Sequence, residues 1–511
     1  AIVGIETLLS GNMVVPQIHE WTYYNKPPFF NWVLASTFAV TGSYEEWAVR
    51  LPGVLSMLMI AAGVYLITKR YLNKQTALYA ALFFLTCSEL LFYASVNAGE
   101  IDLFYALVIF LQVIPFLIFR NKKHLLWMFL LSYLFAGIGT LTKGLPSIAF
   151  QGITVIAILV AEKKWKWLFA WQHFVGMALF AAIVGGYFYL YSMQDDLQGF
   201  LANLYKESSQ RSANEHGIGT ILPHIFLFPL EIIRLMLPWT LLVFFMFRKG
   251  VRKQIQSNDL LRFAAVFVLA NIILYWISPD IRGRYLYMFF PFILIIITHF
   301  FFQNKDQMPK LRMAIAVLFG VLMAAIAGFF IAFPWIEQIN QEVSQPALIA
   351  VVFGAAMIVM LVLFVKWKTQ RILLVVLALI VGRIGHNVAL LPHLHANARC
   401  STYMANVDDV LEIANGEKVL FTGRSIKWIP DVNLLGMKLG EEELVIPPPL
   451  PYQIPYYFFK ESGQLLSYTP DPIPGSYYVA HTQYVQHIEK EILYTFQDEW
   501  TSREMILFIA Q

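Results

Sequence analysis

The residues best placed to do chemistry open with Tyr23-Tyr24-Asn25-Lys26-Pro27-Pro28, two phenols, an amide and an ammonium in front of a double proline. Proline holds the residue before it in extended geometry, so Lys26 is expected on a fixed bend and not inside a helix. Phe29, Phe30 and Trp32 follow at once, and aromatic rings concentrate at the membrane–water boundary. A lysine held there can meet a lipid phosphate; the plainer reading is a lysine that snorkels to the interface. More ionisable groups stand at the ends of apolar stretches: Arg50, Glu100, Asp102, Lys143, His216, Arg282, Arg284 and, beside them, Tyr285. Asp102 opens such a stretch. It is either a carboxylate favoured by the helix dipole or one that orients or deprotonates an acceptor. Lys143, in Thr142-Lys143-Gly144-Leu145-Pro146, either caps carbonyls at a helix end or adds a cation to a phosphate site. Arg282 and Arg284 suit bidentate phosphate binding. Glu231 and Arg234, three apart in an apolar stretch, read as an ordinary intramembrane ion pair. His216, in Asn214-Glu215-His216-Gly217, needs partners to hold a metal, and His393 and His395 have no carboxylates nearby. There is no Gly-rich nucleotide loop, Walker motif or zinc spacing. The cationic set therefore fits a phosphate delivered by a lipid better than a nucleotide sugar.

These residues need membrane spans to position them. Of 511 residues, 58% are hydrophobic and only 14% charged, with a mean hydropathy of +0.60. Soluble domains average about 45–50% apolar and 25% charged, which excludes a soluble enzyme. Twelve stretches have roughly spanning length, near 48–68, 76–95, 101–119, 125–142, 146–161, 168–191, 224–247, 259–277, 285–302, 311–334, 347–365 and 372–392. Every second loop is basic, beginning with Lys69, Arg70 and Lys74 and ending with Lys366, Lys368 and Arg371. Basic loops stay cytoplasmic. This puts 1–47, 96–100, 143–145, 192–223, 278–284 and the tail from 393 outside. A short surface helix is expected at 1–10. In the tail a helix is expected at 401–414 and strands at 418–422, 476–481, 493–496 and 505–510. Cys87 and Cys400 read as unpaired. The expected fold is an all-α polytopic membrane domain over 1–392, with external loops 1–47 and 192–223, followed by an external α/β domain over 393–511.

Taken in order, several stretches resemble a known family. They are Leu9-Ser10-Gly11-Asn12-Met13-Val14-Val15-Pro16, Tyr24-Asn25-Lys26-Pro27-Pro28 with Trp32, Ala48-Val49-Arg50-Leu51-Pro52, Glu100-Ile101-Asp102, Leu141-Thr142-Lys143-Gly144, Leu237-Pro238-Trp239, and Ser278-Pro279 leading to Arg284-Tyr285 and Pro291. The family is the GT-C membrane glycosyltransferases, in particular the bacterial aminoarabinose-transferase and protein O-mannosyltransferase superfamily. Beyond Pro291 the likeness is one of general layout. The resemblance implies a polyprenyl-phosphate-linked sugar donor and an active site on the periplasmic face of the inner membrane. It puts Lys26, Arg50 and Tyr285 on the donor phosphate, with Tyr23 and Tyr24 beside it. Asp102 takes the place of the second acidic motif, and His216 that of a loop histidine that can bind a divalent metal. Arg284 and Lys143 are expected with the phosphate group.

Two departures stand out. The family usually opens with a span and then an acidic motif, and this chain starts after that point. A further span, making thirteen, and a carboxylate are therefore expected before Ala1, and Glu6 is not given that role. Where the family often has Asp or Glu before Lys-Pro, this chain has Asn25, and an amide oxygen is a weaker metal ligand. A divalent metal thus stays an open requirement, with His216 and Asn25 its candidate ligands. The expected activity is inverting transfer of a sugar to lipid A, a protein or a glycan, among membrane lipids and without nucleic acid. The alternative is a transporter or flippase of a lipid-linked glycan. That reading calls for polar residues near the bilayer midplane and for related halves, and no internal repeat is evident. A third reading is a membrane-anchored module whose tail only binds glycan or protein.

Overall fold

Glu46–Tyr71, Leu125–Lys143, Trp171–Ser192, Asp259–Trp276, Pro309–Trp335, Pro346–Lys366 and Arg371–Ala389 are helices long and apolar enough to cross a bilayer, whose hydrocarbon core of about 30 Å takes about 20 residues. The computed structural model describes residues 1–511 apart from 94–96, 121, 210–217, 280 and 429–442. Asp102–Ile118, Leu145–Ala161 and Phe290–Asn304 are shorter apolar helices. At 1.5 Å per residue these reach only about 22–26 Å. Nearly all of Asp102–Ile118 is buried, so neighbouring helices surround it instead of lipid. The chain is a multi-pass helical membrane protein with a sheet-bearing tail. Length and composition count seven spanning helices among the described residues, or eight with one bent pair, where the sequence reading has twelve.

Two of the twelve stretches are broken. The one at 76–95 is a helix Lys74–Leu85 that stops at Thr86, then a short helix Ser88–Phe92. The one at 224–247 is a helix Ile218–Leu235 and a 3-10 helix Trp239–Met246, bent by 115°. Pro238, between them, has no N–H to continue the ladder. Backbone groups freed by a break in a bilayer must find partners, and here the two breaks supply each other. The Ser88 N–H donates to the Leu237 carbonyl at 2.8 Å. The Ser88 hydroxyl lies 2.9 and 3.1 Å from the carbonyls of Arg234 and Leu235. Trp239 holds the joint. Its indole N–H donates to the Thr86 hydroxyl at 3.0 Å, and its ring stacks on Phe83 with centroids 3.9 Å apart.

The chain forms two compact units. One is Arg50–Gly186 with Ser208–His393, cored by the apolar interior of its helices. The other is Ala1–Val49, Tyr187–Glu207 and Leu394–Gln511. Its five-stranded sheet runs Tyr468–Thr469, Val419–Thr422, Tyr477–His481, Arg503–Ala510, Lys490–Asp498. The first three strands are parallel and the last two join antiparallel. Tyr478 and Ala480 alternate into the core with Ile506 and Phe508 opposite, the period-two pattern of strands. The four expected strands are all present, and the expected helix is Arg399–Ala414. Helix Gln453–Ser462, buried from Ile454 to Phe459, has no counterpart in the sequence reading. The helix expected at 1–10 is Ile2–Ser10, but it does not lie on a surface: Ile2 to Thr7 are buried. It packs on helix Phe29–Thr41. The approach is close enough that a Cβ on Gly4 would stand 2.8 Å from Leu34 Cβ.

Candidate active site

In the helical unit, two helix ends and a 3-10 turn gather the ionisable residues. Gly144 separates Leu125–Lys143 from Leu145–Ala161 at φ 81° and ψ −140°, a conformation that a Cβ disfavours. Lys143 therefore ends its helix, and its Nζ lies 2.5 Å from Oδ1 of Asp102, the first residue of Asp102–Ile118. The 3-10 turn Gly283–Leu286 brings Arg284. Its guanidinium pairs with Glu100, and its Nε lies 3.3 Å from Asp102 Oδ2. The side chains of Lys143 and Asp102 are only 8% and 4% exposed, so theirs is a buried ion pair. Lys143 Nζ lies 4.2 Å from the ring centroid of Tyr285 and 5.0 Å from that of Tyr105, within cation–π range. The Tyr105 hydroxyl accepts from Ser147 at 3.0 Å. Two carboxylates thus face two cations beside two phenols. A guanidinium has five N–H donors, more than its two carboxylate contacts use, and the remainder suit an anion.

The other unit carries the Lys26 segment. Strands Gln17–Ile18 and Trp21–Thr22 pair antiparallel around His19 and Glu20, at φ 60° and 62°. Positive φ at both corner positions is the geometry of a type I′ turn, usually Asn-Gly. Here Glu6 compensates for the missing glycine. Its two carboxylate oxygens accept from the N–H groups of His19 at 2.7 Å and Glu20 at 3.0 Å. The His19 Nδ1–H donates to the Leu466 carbonyl at 2.9 Å, and the Tyr468 N–H donates to the His19 carbonyl at 3.1 Å. The hairpin is thereby docked on the tail's sheet. Burial outweighs the two N–H bonds and pushes Glu6 up to about 7, while burial pushes His19 down to about 4. Beyond the hairpin, Lys26 sits on a bend, as the double proline implied, and Pro28 stands at the N-terminus of helix Phe29–Thr41. Asn203 donates to the Tyr24 carbonyl at 2.9 Å and to Asn25 Oδ1 at 3.4 Å. Asn25 Nδ2 donates to the Tyr452 hydroxyl at 3.3 Å. Burial, with Asp195 and Asp196 nearby, pushes the Tyr24 phenol up to about 12, which keeps it a donor.

Of the expected site residues, Asp102, Lys143, Arg284 and Tyr285 come together in one unit. Tyr23, Tyr24, Asn25 and Lys26 belong to the other. Arg50 is half-buried in the first two turns of Glu46–Tyr71. His216 lies outside the described residues. Among the described residues no three of His, Cys, Asp and Glu gather to hold a metal, and the Asn25 amide is turned to Asn203 and Tyr452. Lys143, expected to cap carbonyls or join the phosphate group, has its ammonium on Asp102. Glu231 and Arg234 pair as expected, at 2.8 and 2.6 Å. Three residues escaped the sequence reading. Tyr105 was signalled by its i+3 spacing from Asp102. Glu89, 4% exposed and accepting from the Tyr287 hydroxyl at 3.1 Å, was signalled by being ionisable in an apolar stretch. Glu6 acts through a turn that no local signal marked.

A family model described as dolichyl-phosphate-mannose-protein mannosyltransferase matches residues 25–188. The undecaprenyl phosphate-alpha-4-amino-4-deoxy-L-arabinose arabinosyl transferase of Erwinia tasmaniensis is 28% identical over 172 residues, which is 32% of this chain and 30% of that protein. The enzyme of the same name from Edwardsiella ictaluri is 27% identical over 190 residues, 36% of this chain and 33% of that protein. The chain thus spans 30–33% of the length of these curated relatives. The crystal structure of ArnT from Cupriavidus metallidurans bound to undecaprenyl phosphate matches with a TM-score of 0.69 at 17% identity, over 99% of this chain and 92% of that one. The matched 25–188 stretch contains Lys26, Arg50, Asp102 and Lys143. Over that stretch the chain is similar to the dolichyl-phosphate-mannose-protein mannosyltransferase family and to the arabinosyl transferases, and its fold as a whole is similar to that of ArnT.

Proposed function

We propose that the chain is an inverting glycosyltransferase that moves a sugar from a polyprenyl-phosphate donor to an acceptor at the periplasmic face of the inner membrane. The observation that carries this reading is the buried Asp102, held by Lys143 and Arg284 beside Tyr285, within a chain whose matched relatives are named for such donors. The donor phosphate gathers negative charge as the sugar–oxygen bond breaks. Lys26, Arg50, Arg284 and Tyr285 neutralise it, with Tyr23 and Tyr24 helping to position it. Preorganised donors in a site that excludes water are worth several kcal/mol to such a step. Asp102 orients the acceptor hydroxyl and takes its proton, and attack opposite the phosphate inverts the anomeric centre. Lys143, seated on Asp102 as Arg284 is, adds its charge beside the phosphate. Lipid A, a protein hydroxyl or a surface glycan is the acceptor.

The same proposal keeps twelve spans over 1–392, two of them broken, and places 393–511 in the periplasm on the strength of the alternating basic loops. Incubating the purified protein with a polyprenyl-phosphate sugar tests the activity, and release or transfer of sugar is expected. Movement of a lipid-linked glycan across a vesicle membrane without transfer would establish the flippase reading instead.

A further inference from the structure

Within the helical unit, helix Phe290–Asn304 starts just after Arg284 and Tyr285 and ends at Lys305. Its far end therefore lies about 22 Å from the candidate site, at 1.5 Å per residue. A pocket there is lined by Lys305, Arg312, Lys368 and Arg371 and by no carboxylate. The ring faces of Phe302 and Phe364 back two of the cations. Lys305 Nζ is 5.1 Å from the Phe302 centroid and the Arg371 guanidinium 5.2 Å from that of Phe364. Arg371 Nε donates to the Phe364 carbonyl at 3.1 Å, which fixes the guanidinium. Arg312 has a carboxylate partner outside the pocket, Asp306 at 2.6 Å. Arg371 is also the first residue of the 19-residue helix Arg371–Ala389, whose dipole adds positive potential at that end. Four cations converge on one recess, and their mutual repulsion is relieved by an anion.

The size and setting of the pocket narrow that anion. Its volume is ≈ 50 Å³, where one water needs about 10–15 Å³ by the same kind of measure. Small-molecule sites run to about 300–1,000 Å³. The pocket therefore admits a single group of a few heavy atoms, with the rest of the ligand outside. Around it the surface is apolar. Val317 and Leu318 on Pro309–Ala332, and Val362 and Val365 on Pro346–Lys366, are exposed, and so is Trp367, a residue that favours the membrane interface. A phosphate with acyl chains attached fits both features. We propose that this pocket binds the phosphate of an anionic phospholipid, in the leaflet opposite the candidate active site. Basic pockets between membrane helices on the cytoplasmic side are suited to such headgroups.

The test compares the whole protein with Lys305→Gln/Lys368→Gln, which removes both charges, keeps polar side chains one atom shorter, and leaves the Arg312 and Arg371 contacts in place. Each is placed in nanodiscs of phosphatidylcholine with or without phosphatidylglycerol, and bound lipid is read by native mass spectrometry. Wild type is expected to retain phosphatidylglycerol selectively, and the double variant to lose about thirtyfold in apparent affinity, two lysines' worth of surface attraction. Equal retention of both lipids by wild type overturns the proposal without reference to any variant. So does a double variant that elutes as a folded monodisperse species and retains phosphatidylglycerol as well as wild type. Protection from heat by inorganic phosphate in detergent, with none from phosphatidylglycerol, overturns the lipid assignment.

Discussion

Replacing Lys143 by Met removes an ammonium while nearly keeping its volume, and leaves the Asp102 carboxylate 4% exposed with Arg284 Nε at 3.3 Å. Breaking a buried pair by removing one partner costs about 3–5 kcal/mol. Arg284 shares the remaining charge, so the lower part of that range applies, about 3 kcal/mol. Asp102→Leu leaves the opposite orphan. Lys143 then keeps the faces of Tyr285 and Tyr105 at 4.2 and 5.0 Å, which offset about 1–2 kcal/mol when desolvated. It too should cost about 3 kcal/mol. Independent effects would make the double variant about 6 kcal/mol worse, whereas two well-packed apolar residues in place of a buried ion pair are often neutral. The double variant is therefore expected within about 2–3 kcal/mol of wild type, a coupling of at least about 3 kcal/mol. Unfolding in mixed detergent micelles, followed by circular dichroism, measures all four corners of the cycle. Additive losses, with Lys143→Met within about 0.5 kcal/mol of wild type, would refute the pairing. A raised donor KM at unchanged stability would place Lys143 on the phosphate alone.

The remaining predictions concern the other residues. Lys26→Ala should lower sugar transfer about a hundredfold or more, by analogy with loss of one transition-state donor, and Lys26→Arg should recover only part because its fork differs; steady-state kinetics with a polyprenyl-phosphate sugar decide. Asp102→Asn should lower turnover while leaving retention of the donor lipid nearly intact, measured by co-purified lipid. Burial depresses His19 from 6.5 to about 4, so its contribution to stability is complete above pH 6.5 and is lost as pH falls towards 4, by about 3 kcal/mol in full. Glu6, raised from 4.5 to about 7, runs the other way: its contribution is complete below pH 4.5 and lost as pH rises through 7. The stability gap between wild type and His19→Phe should therefore narrow as pH falls from about 6.5 towards 4, and a gap that widens on melting would contradict the burial argument.

The multi-pass helical character was legible because hydropathy over some twenty residues is a property of one segment, as is the double proline that puts Lys26 on its bend; the number of spans was not. The breaks at Thr86 and Pro238 were not, because a break in a bilayer is permitted only by a partner elsewhere, here Leu237 for Ser88. Helix Phe29–Thr41 was missed although Phe30, Leu34 and Phe38 recur at helical spacing, because the stretch was read only as the sequel to Pro27-Pro28. Asp102, Lys143 and Arg284 could be named as candidates from their places at span ends. That Lys143 meets Asp102, 41 residues away, depends on how the helices pack. Glu6 was hidden for the same reason: a carboxylate in an apolar helix gives no local sign that it will hold a turn 13 residues on.

The hairpin before Lys26 also sets an order of events in biosynthesis. His19 and the carbonyl that fixes it at Leu466 are 447 residues apart, with the seven helices of spanning length among the described residues between them. At about 5–20 residues per second, the ribosome needs roughly 20–90 s to deliver that partner. Throughout that interval Glu6 can shape the turn, but nothing yet anchors it. The sheet beneath it is not complete until Arg503–Ala510, the strand that joins Tyr477–His481 to Lys490–Asp498, has left the ribosome. A chain released early can thus insert its long apolar helices and still hold Lys26 on an unfinished mount, which couples completion of translation to the setting of the Lys26 bend.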